Sequence, residues 1–403
     1  MRKIGLNSFQ VARSETARDI NRRIVLNLVR QHQPISRASL ARRSGMQRST
    51  VSAITEQLIA ERWVVEGATG HLPRGRKPTF LHLNPDRSGV IGVDIHPQTT
   101  MLAVASMEMK ILAQESMPTE REPNAFIERL GVRIRDLIRA YPKSSYEGIG
   151  ISLPGRVELS SQRLAFAPDL NWSDVDLKTP LEAITGVPVE IENAANACAL
   201  AELWSGRHGE NVSHLAAVTV SEGIGVGMVM NGQLLRGSQG MAGEFGHVTL
   251  AGNGPLCRCG NRGCWEVMAT NAAAVRTYAE FLSTRKGEAG TKSDMSPVLF
   301  TDLLRLAEQG DVKATKALDQ MAHYLGVGLA ILVTGLAPDV LVVVGDITRA
   351  WPRVGPIVEE AIRQRSFTPA PTRIVPTDPE HLPRLRGAIA LVVQKHFQLP
   401  RIV

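Results

Sequence analysis

One imidazole and three thiols fall within eighteen consecutive positions of this chain. They sit in Gly243-Glu244-Phe245-Gly246-His247, followed after nine residues by Cys257-Arg258-Cys259-Gly260-Asn261-Arg262-Gly263-Cys264-Trp265-Glu266. Any fold of the chain must accommodate that cluster, and a Cys3His set at this spacing suits tetrahedral zinc. Gly260 and Gly263 allow the loop to turn back, so that Cys257, Cys259 and Cys264 converge with His247. Four protein ligands leave no open position for a metal-bound water, so the zinc is expected to be structural. Three of the four cysteines belong to this group, which argues against a disulfide framework. The fourth, Cys198, reads as a buried helix thiol.

The charge is unevenly placed. Residues 1–85 carry 15 Lys and Arg against 5 Asp and Glu, whereas the rest carries 31 against 34. A basic terminal module on a near-neutral body suggests a polyanion partner, although a solvated basic tail would have the same composition. Helical periodicity separates the two. Ile20, Ile24 and Leu28 lie four apart in a first helix over about 15–31. Ser36 is a natural N-cap and Gly45 a natural stop for a second, short helix anchored by Leu40. Val51, Ile54 and Leu58 give a third helix over about 48–62 its inner stripe. Two β-type segments, Trp63–Glu66 and Thr79–Leu83, then flank a loop. This is the grammar of a winged helix-turn-helix. Its recognition face would be Gln47, Arg48, Ser49, Thr50 and Ser52, which can donate to base edges and phosphates. In the loop, Pro73-Arg74-Gly75-Arg76-Lys77-Pro78 resembles an AT-hook core, which places Arg74, Arg76 and Lys77 in a minor groove. The same run would also serve as an interdomain linker.

At 403 residues the chain should hold more than one domain. We expect the DNA-binding module over 1–85, an N-terminal lobe over 86–192, a C-terminal lobe over 193–380 containing the zinc loop 247–264, and a helix over 381–403 packing back on the body. Strands alternate with helices from Val90 onward, which indicates an α/β body. Similar strand pairs around Asp94 and Ser221 suggest an internal duplication. No apolar signal segment and no membrane-length apolar run stand out, so a cytoplasmic location is expected.

The zinc run matches GExGH…CxCGxxGCxE, the signature of the ROK family of repressors and sugar kinases, at every defining position. Leu153-Pro154-Gly155, Asn171-Trp172, Glu192-Asn193 with Asn196, and Gly223, Gly225 and Gly227 followed by Asn231-Gly232 also agree. The chain resembles that family over about 85–397, and its N-terminal module resembles the repressor branch, which includes regulators of xylose, glucose and N-acetylglucosamine use. The resemblance implies a duplicated actin/hexokinase-like (RNase H-like) two-lobed body with a sugar between the lobes. It places Asn193, Glu244, His247 and Glu266 on the sugar hydroxyls, with His247 bridging metal and sugar. It also implies a sugar effector, an operator in double-stranded DNA and a homodimer or higher homo-oligomer.

Kinases of the family use an aspartate after Glu-Asn as general base, where this chain has Ala194. Their first phosphate turn is Gly-Gly-Thr, and here Asp94 is followed by Ile95-His96-Pro97-Gln98-Thr99. Pro97 offers no amide hydrogen. Glu222, in the second phosphate turn, would repel a triphosphate, and Gly345-Asp346 is poorer in glycine than the family's adenosine loop. The expectation is a DNA-binding sugar sensor, most often a repressor, that is not an enzyme. The alternative is a ligand-free scaffold governed by a protein partner such as a sugar-transport component.

Overall fold

The structure, a computed structural model, describes residues 14–69, 79–206, 208–209, 212–283, 298–366 and 371–397. The N-terminal module comprises α1 (Ser14–His32), β1 (Ile35–Ser36), α2 (Arg37–Ser44), α3 (Arg48–Ala60), β2 (Val64–Thr69) and β3 (Thr79–Leu83). The Ser36 hydroxyl accepts from the Ser39 amide at 3.2 Å, and Gly45 ends α2 at φ 70°. Val51 and Leu58 are buried and Ile54 is half-buried. Helix α3 stops at Ala60 rather than Arg62, which takes a left-handed φ of 63°. The strands pair in the order β1-β3-β2, completing the wing. Arg74, Arg76 and Lys77, the expected minor-groove contacts, lie outside the described residues.

Helix α1 departs from its periodicity. Val25, Leu26 and Val29 are its fully buried residues, whereas Ile20, Ile24 and Leu28 are only half-buried. The reason is that α1 packs on two sides. One face meets α2 and α3, and another meets the end of the C-terminal helix and the body. Asn27 donates to the Phe397 carbonyl. The Arg30 guanidinium lies 4.9 Å from the Trp204 ring centroid and 5.5 Å from that of Phe397. A helix buried on two faces loses the single stripe that a sequence reading looks for.

The body contains two five-stranded sheets of the same design. The first uses β4 (Ser88–Ile95), β5 (Thr99–Ser106), β6 (Ile111–Pro118), β7 (Ser145–Leu153) and β11 (Val189–Asn193). The second uses β12 (Leu215–Val220), β13 (Ile224–Met230), β14 (Gln233–Leu234), β15 (Val340–Val344) and β16 (Arg373–Pro376). Their orders, β6-β5-β4-β7-β11 and β14-β13-β12-β15-β16, are identical when strands are counted within each sheet. In both, the first three strands run antiparallel and the fourth and fifth join parallel. The duplication expected from the strand pairs is therefore present at the level of topology. A small sheet of β8 (Arg156–Glu158), β9 (Arg163–Ala167) and β10 (Trp172–Val175) packs with the first lobe's core beside α4 (Pro123–Ala140) and α5 (Lys178–Thr185).

Two helices fill the space between the large sheets: α6 (Ala194–Ser205) lies on β12 and β13, and α12 (Pro383–Phe397) lies on β4 and β7. The contact is too close for side chains at its centre. A methyl carbon at Gly150 would sit 1.8 Å from the Ala388 carbonyl oxygen, and one at Gly227 would sit 2.1 Å from that of Ala195. The remaining helices, α7 (Trp265–Ala269), α8 (Asn271–Ser283), α9 (Phe300–Glu308), α10 (Val312–Leu336) and α11 (Trp351–Arg363), belong to the second lobe. The expectation that no segment has the length and apolarity of a membrane span meets one exception. Helix α10 passes by composition, but its apolar side chains form the centre of the second lobe's core.

Candidate functional site

The metal-type donors converge. The ligand atoms of His247, Cys257, Cys259 and Cys264 all lie within 4.8 Å of one another. Cys259 Sγ is 3.6 Å from Cys264 Sγ, and Cys257 Sγ is 3.6 Å from His247 Nδ1. A tetrahedron with metal–sulfur bonds of about 2.3 Å has edges of about 3.8 Å, whereas a disulfide needs about 2.05 Å. The spacing therefore fits a metal and not a disulfide. The backbone amide of Asn261 draws the Cys259 thiol down to about 7, while burial pushes Cys257 up to about 12. One thiol is thus already easily ionised, and a bound cation would displace the other protons.

The loop is folded by its own backbone. Cys257 N donates to Asn261 O at 2.7 Å and Gly263 N to Pro255 O at 2.8 Å. A methyl carbon at Gly263, where φ is 65°, would lie 1.7 Å from the Ala251 carbonyl oxygen, so only glycine fits. The buried Trp265 then ties the loop to the lobe at Gly328 of α10.

Of the residues predicted for a sugar, Glu244, His247 and Glu266 meet at this loop. His247 turns Nδ1 toward the thiols and brings Nε2 to 3.9 Å from the Glu244 carboxylate. Glu266 is buried and accepts from the Cys257 thiol at 3.1 Å, and Glu244 is exposed. Asn193 lies at the junction of β11 and α6. Its Oδ1 caps α6 through the Ala195 amide at 2.8 Å, and its Nδ2 donates to Gly155 O at 2.5 Å. One lone pair and one amide hydrogen remain for a ligand. Ala194 is buried and offers no proton acceptor. Behind it, the buried Glu192 receives Asn196 Nδ2 at 3.0 Å and Arg236 Nε at 2.8 Å. A cavity of about 480 Å³ borders Glu192, Arg236, Gln162 and Gln394, but none of the four predicted sugar residues lines it.

The first lobe's phosphate-type turn is occupied by protein. Asp94, at the end of β4, is buried. Arg384 of α12 places Nε 3.0 Å from its Oδ1, and His96 Nε2 is 2.7 Å from its Oδ2. Arg384 also donates to Ile95 O at 2.9 Å. Burial alone would raise the Asp94 pKa, but Arg384, with His96 and Ser152, holds it below the ordinary carboxylate value. Pro97 is exposed at the tip of this turn, as is Glu222 at the matching turn of the second lobe.

In the N-terminal module, Gln47, Arg48, Ser49 and Thr50 are all exposed at the start of α3, and Ser52 is half-buried. Arg42 and Arg43, exposed at the end of α2, extend that basic surface. They were not among the predicted contacts, although two adjacent arginines in the last turn of a short helix were a usable signal. Arg384 and the Arg258–Asp169 pair, at 2.8 Å, were also missed; their partners are far away in sequence.

Comparison with known proteins agrees with this organisation. The ROK family model matches residues 90–395, and a model described as winged helix-turn-helix DNA-binding matches 18–65. The xylose repressor of Bacillus subtilis is 31% identical over 361 residues, covering 89% of this chain and 90% of the repressor. A crystal structure of a ROK family transcriptional regulator, a homologue of the E. coli Mlc protein, superposes with a TM-score of 0.81 at 26% identity. It covers 95% of this chain and 97% of the other. A ROK family glucokinase from Streptomyces griseus, solved with glucose and AMPPNP, gives 0.66 at 26% identity, over 75% of this chain and 98% of the enzyme.

Proposed function

This chain belongs to the ROK family, and from that premise we propose that it is a DNA-binding repressor whose kinase-like body answers to a sugar rather than phosphorylating one. The observation that carries the sensor reading is the fate of Asp94. A kinase would keep this carboxylate available beside the nucleotide, and here Arg384 pairs with it and His96 covers it. Ala194 removes the general base independently. Glu244, Glu266, Asn193 and His247 Nε2 would hold sugar hydroxyls, since carboxylates accept pairs of hydroxyl hydrogens and an amide both donates and accepts. His247 Nδ1, Cys257, Cys259 and Cys264 would hold a structural zinc, which braces the loop that carries His247 and Glu266.

The module over 1–85 would read an operator with Gln47, Arg48, Ser49, Thr50 and Ser52. Arg42 and Arg43 would meet phosphates, and Arg74, Arg76 and Lys77 the minor groove. A cytoplasmic homodimer or higher homo-oligomer would present two such modules to paired half-sites. The two lobes would divide at about residue 193, with α12 packed between them. Ligand binding would act through the difference in affinity between two arrangements of the modules. Because Ala194 contributes no hydroxyl contact and Asn193 is partly committed to capping α6, the second reading is a scaffold answering to a protein partner.

The test is fluorescence anisotropy with a duplex selected from a random pool, titrated with xylose, glucose, N-acetylglucosamine and their phosphates. One of these should weaken DNA binding at least about tenfold, the 1.4 kcal/mol scale of ordinary allosteric coupling. Arg48→Ala should cost about 1–3 kcal/mol of affinity, and Arg42→Ala should lower the salt slope by about one. Intact DNA binding with no response to any sugar would transfer the case to the scaffold.

A further inference from the structure

The geometry points to Arg258 as an interlobe clasp: it stands between two metal-type ligands on the second lobe and reaches Asp169 on the first, so that closing the cleft and orienting Glu266 are one event. This inference rests on the sugar-sensor reading for its consequence, but not for its geometry.

Each end of the clasp is fixed. Arg258 Nη1 is 2.8 Å from Asp169 Oδ1, and its Nε is 3.4 Å from Glu266 Oε1. Its Nη2 would lie 3.2 Å from a methyl carbon built on Gly223, where the second lobe's turn ends. On the second lobe, Arg258 has little freedom because Cys257 and Cys259 on either side are held in the donor cluster. On the first lobe, Asp169 lies in a single helical turn, Pro168–Leu170. That turn is stopped by Asn171 at φ 57° and followed by Trp172, whose ring is buried and whose Nε1 donates to Arg121 O at 2.9 Å. Asp169 therefore moves with the first lobe's core and Arg258 with the second's.

A second arginine also crosses. Arg236 binds Glu192, but there the carboxylate is buried deep between the lobes. The Arg258 side chain is 44% exposed and that of Asp169 is 26% exposed. A pair in contact with water is weak and reversible, which suits a contact that must open and close. The Glu192 carboxylate is only 5% exposed, although Arg236 is 30% exposed, and this suits a more fixed contact.

Glu266 links the clasp to the ligand. Its carboxylate faces the Cys257 thiol at 3.1 Å and His247 Nδ1 at 3.6 Å, both on the metal side. Arg258 is the cation beside this carboxylate, and it fixes which way Glu266 faces. Breaking the Asp169 contact would leave Arg258 anchored at one end only. Arg258 is thus a positioning residue that tells Glu266 whether the first lobe is in place.

The test uses the full-length protein with three variants: Asp169→Asn, Asp169→Arg, and Asp169→Arg combined with Arg258→Glu. In ligand-free protein, hydrogen exchange at residues 168–172 and 221–225 should accelerate in Asp169→Arg and return toward wild type in the charge-swapped double variant. Metal content, measured in parallel, should stay unchanged in the Asp169 single variants, which separates the clasp from collapse of the donor loop. Calorimetry with xylose, glucose and N-acetylglucosamine should show Asp169→Asn binding the active sugar about five- to tenfold more weakly. The swap is read by exchange alone, because Arg258→Glu also removes the cation beside Glu266. Unchanged exchange in Asp169→Arg, or a swap in which exchange does not return toward wild type, overturns the clasp. If the wild type binds none of the sugars, the sensor reading fails, and the exchange result still decides whether the clasp exists.

Discussion

The turn between the first two strands occurs once in each lobe, as residues 96–98 between β4 and β5 and as residues 221–223 between β12 and β13. The two copies come from sheets of the same topology, yet what meets them differs. The first-lobe turn is entered by a helix: Arg384 of α12, with His96, engages the buried Asp94. The second-lobe turn keeps Ser221 and Glu222 exposed and is approached at Gly223 by Arg258 and Glu266 of the metal-type loop. A duplicated sheet supplies two equivalent mouths, and the element laid over each decides its use. An arginine on a rigid helix closes one mouth. A loop organised by four donors frames the other and keeps it accessible to a ligand.

The largest expected effect comes from removing that organisation. Cys264 is fully buried, and Cys264→Ser should lower metal content from about one ion per chain to near zero. The cost to the second lobe should be several kcal/mol, because ligand binding free energy in structural zinc sites is folding free energy. Mass spectrometry of hydrogen exchange should locate the loss at 221–225 and 243–266, with β4 and β5 still protected. Equal loss in both lobes would mean that the loop braces the whole body and that the two turns are not independent.

Next in size is the first-lobe turn. Arg384→Ala leaves Asp94 buried without its cation, which typically costs about 3–5 kcal/mol. Asp94→Asn in the same chain should recover much of it, and urea unfolding reads both. The pH dependence follows from the direction of the shift. The folded-state pKa of Asp94 lies below its ordinary 3.8, so this stabilisation is complete above about pH 4 and is lost as pH falls through the folded value. Wild type should lose stability from this pair in that acid window, and Arg384→Ala should lose less. If the two proteins share one acid profile, the ion pair does not govern the turn.

The two mouths were not equally legible in the sequence. The donor loop was, because its four metal-type side chains lie within eighteen positions and glycines mark where it must turn. The Ser36 cap and Gly45 stop were legible for the same reason, since caps are local. The expected departures at Pro97 and Glu222 fall on turns that the structure indeed places at equivalent points of the two sheets. The group that fills the first turn was not visible, because Arg384 and Asp94 stand 290 positions apart and meet only after α12 returns across the sheet. Asp169 and Arg258 escaped notice likewise, 89 positions apart. Helix α1 was read one residue out of phase because its second face is created by Trp204 and Phe397, and periodicity within a helix carries no information about partners from elsewhere.

The smallest expected effect is at Glu222, and it asks whether the open mouth could still serve a nucleotide. If Glu222 alone excluded a triphosphate, Glu222→Thr would let magnesium–ATP at a few millimolar raise the Tm. Binding stabilises by RT ln(1 + [L]/Kd), so even millimolar affinity would register as about 1 kcal/mol. The plugged first turn argues against such a gain, since phosphate needs both mouths and Arg384 still fills one. The expected shift is under about 1 °C in wild type and in Glu222→Thr, with Glu222→Thr changing intrinsic stability by no more than about 0.5 kcal/mol, as is usual for an exposed side chain. A clear ATP-dependent rise in the variant would show that one exposed carboxylate had kept the nucleotide out, and that Arg384 is a movable plug. A rise in wild type would go further and return this chain to the family's kinases.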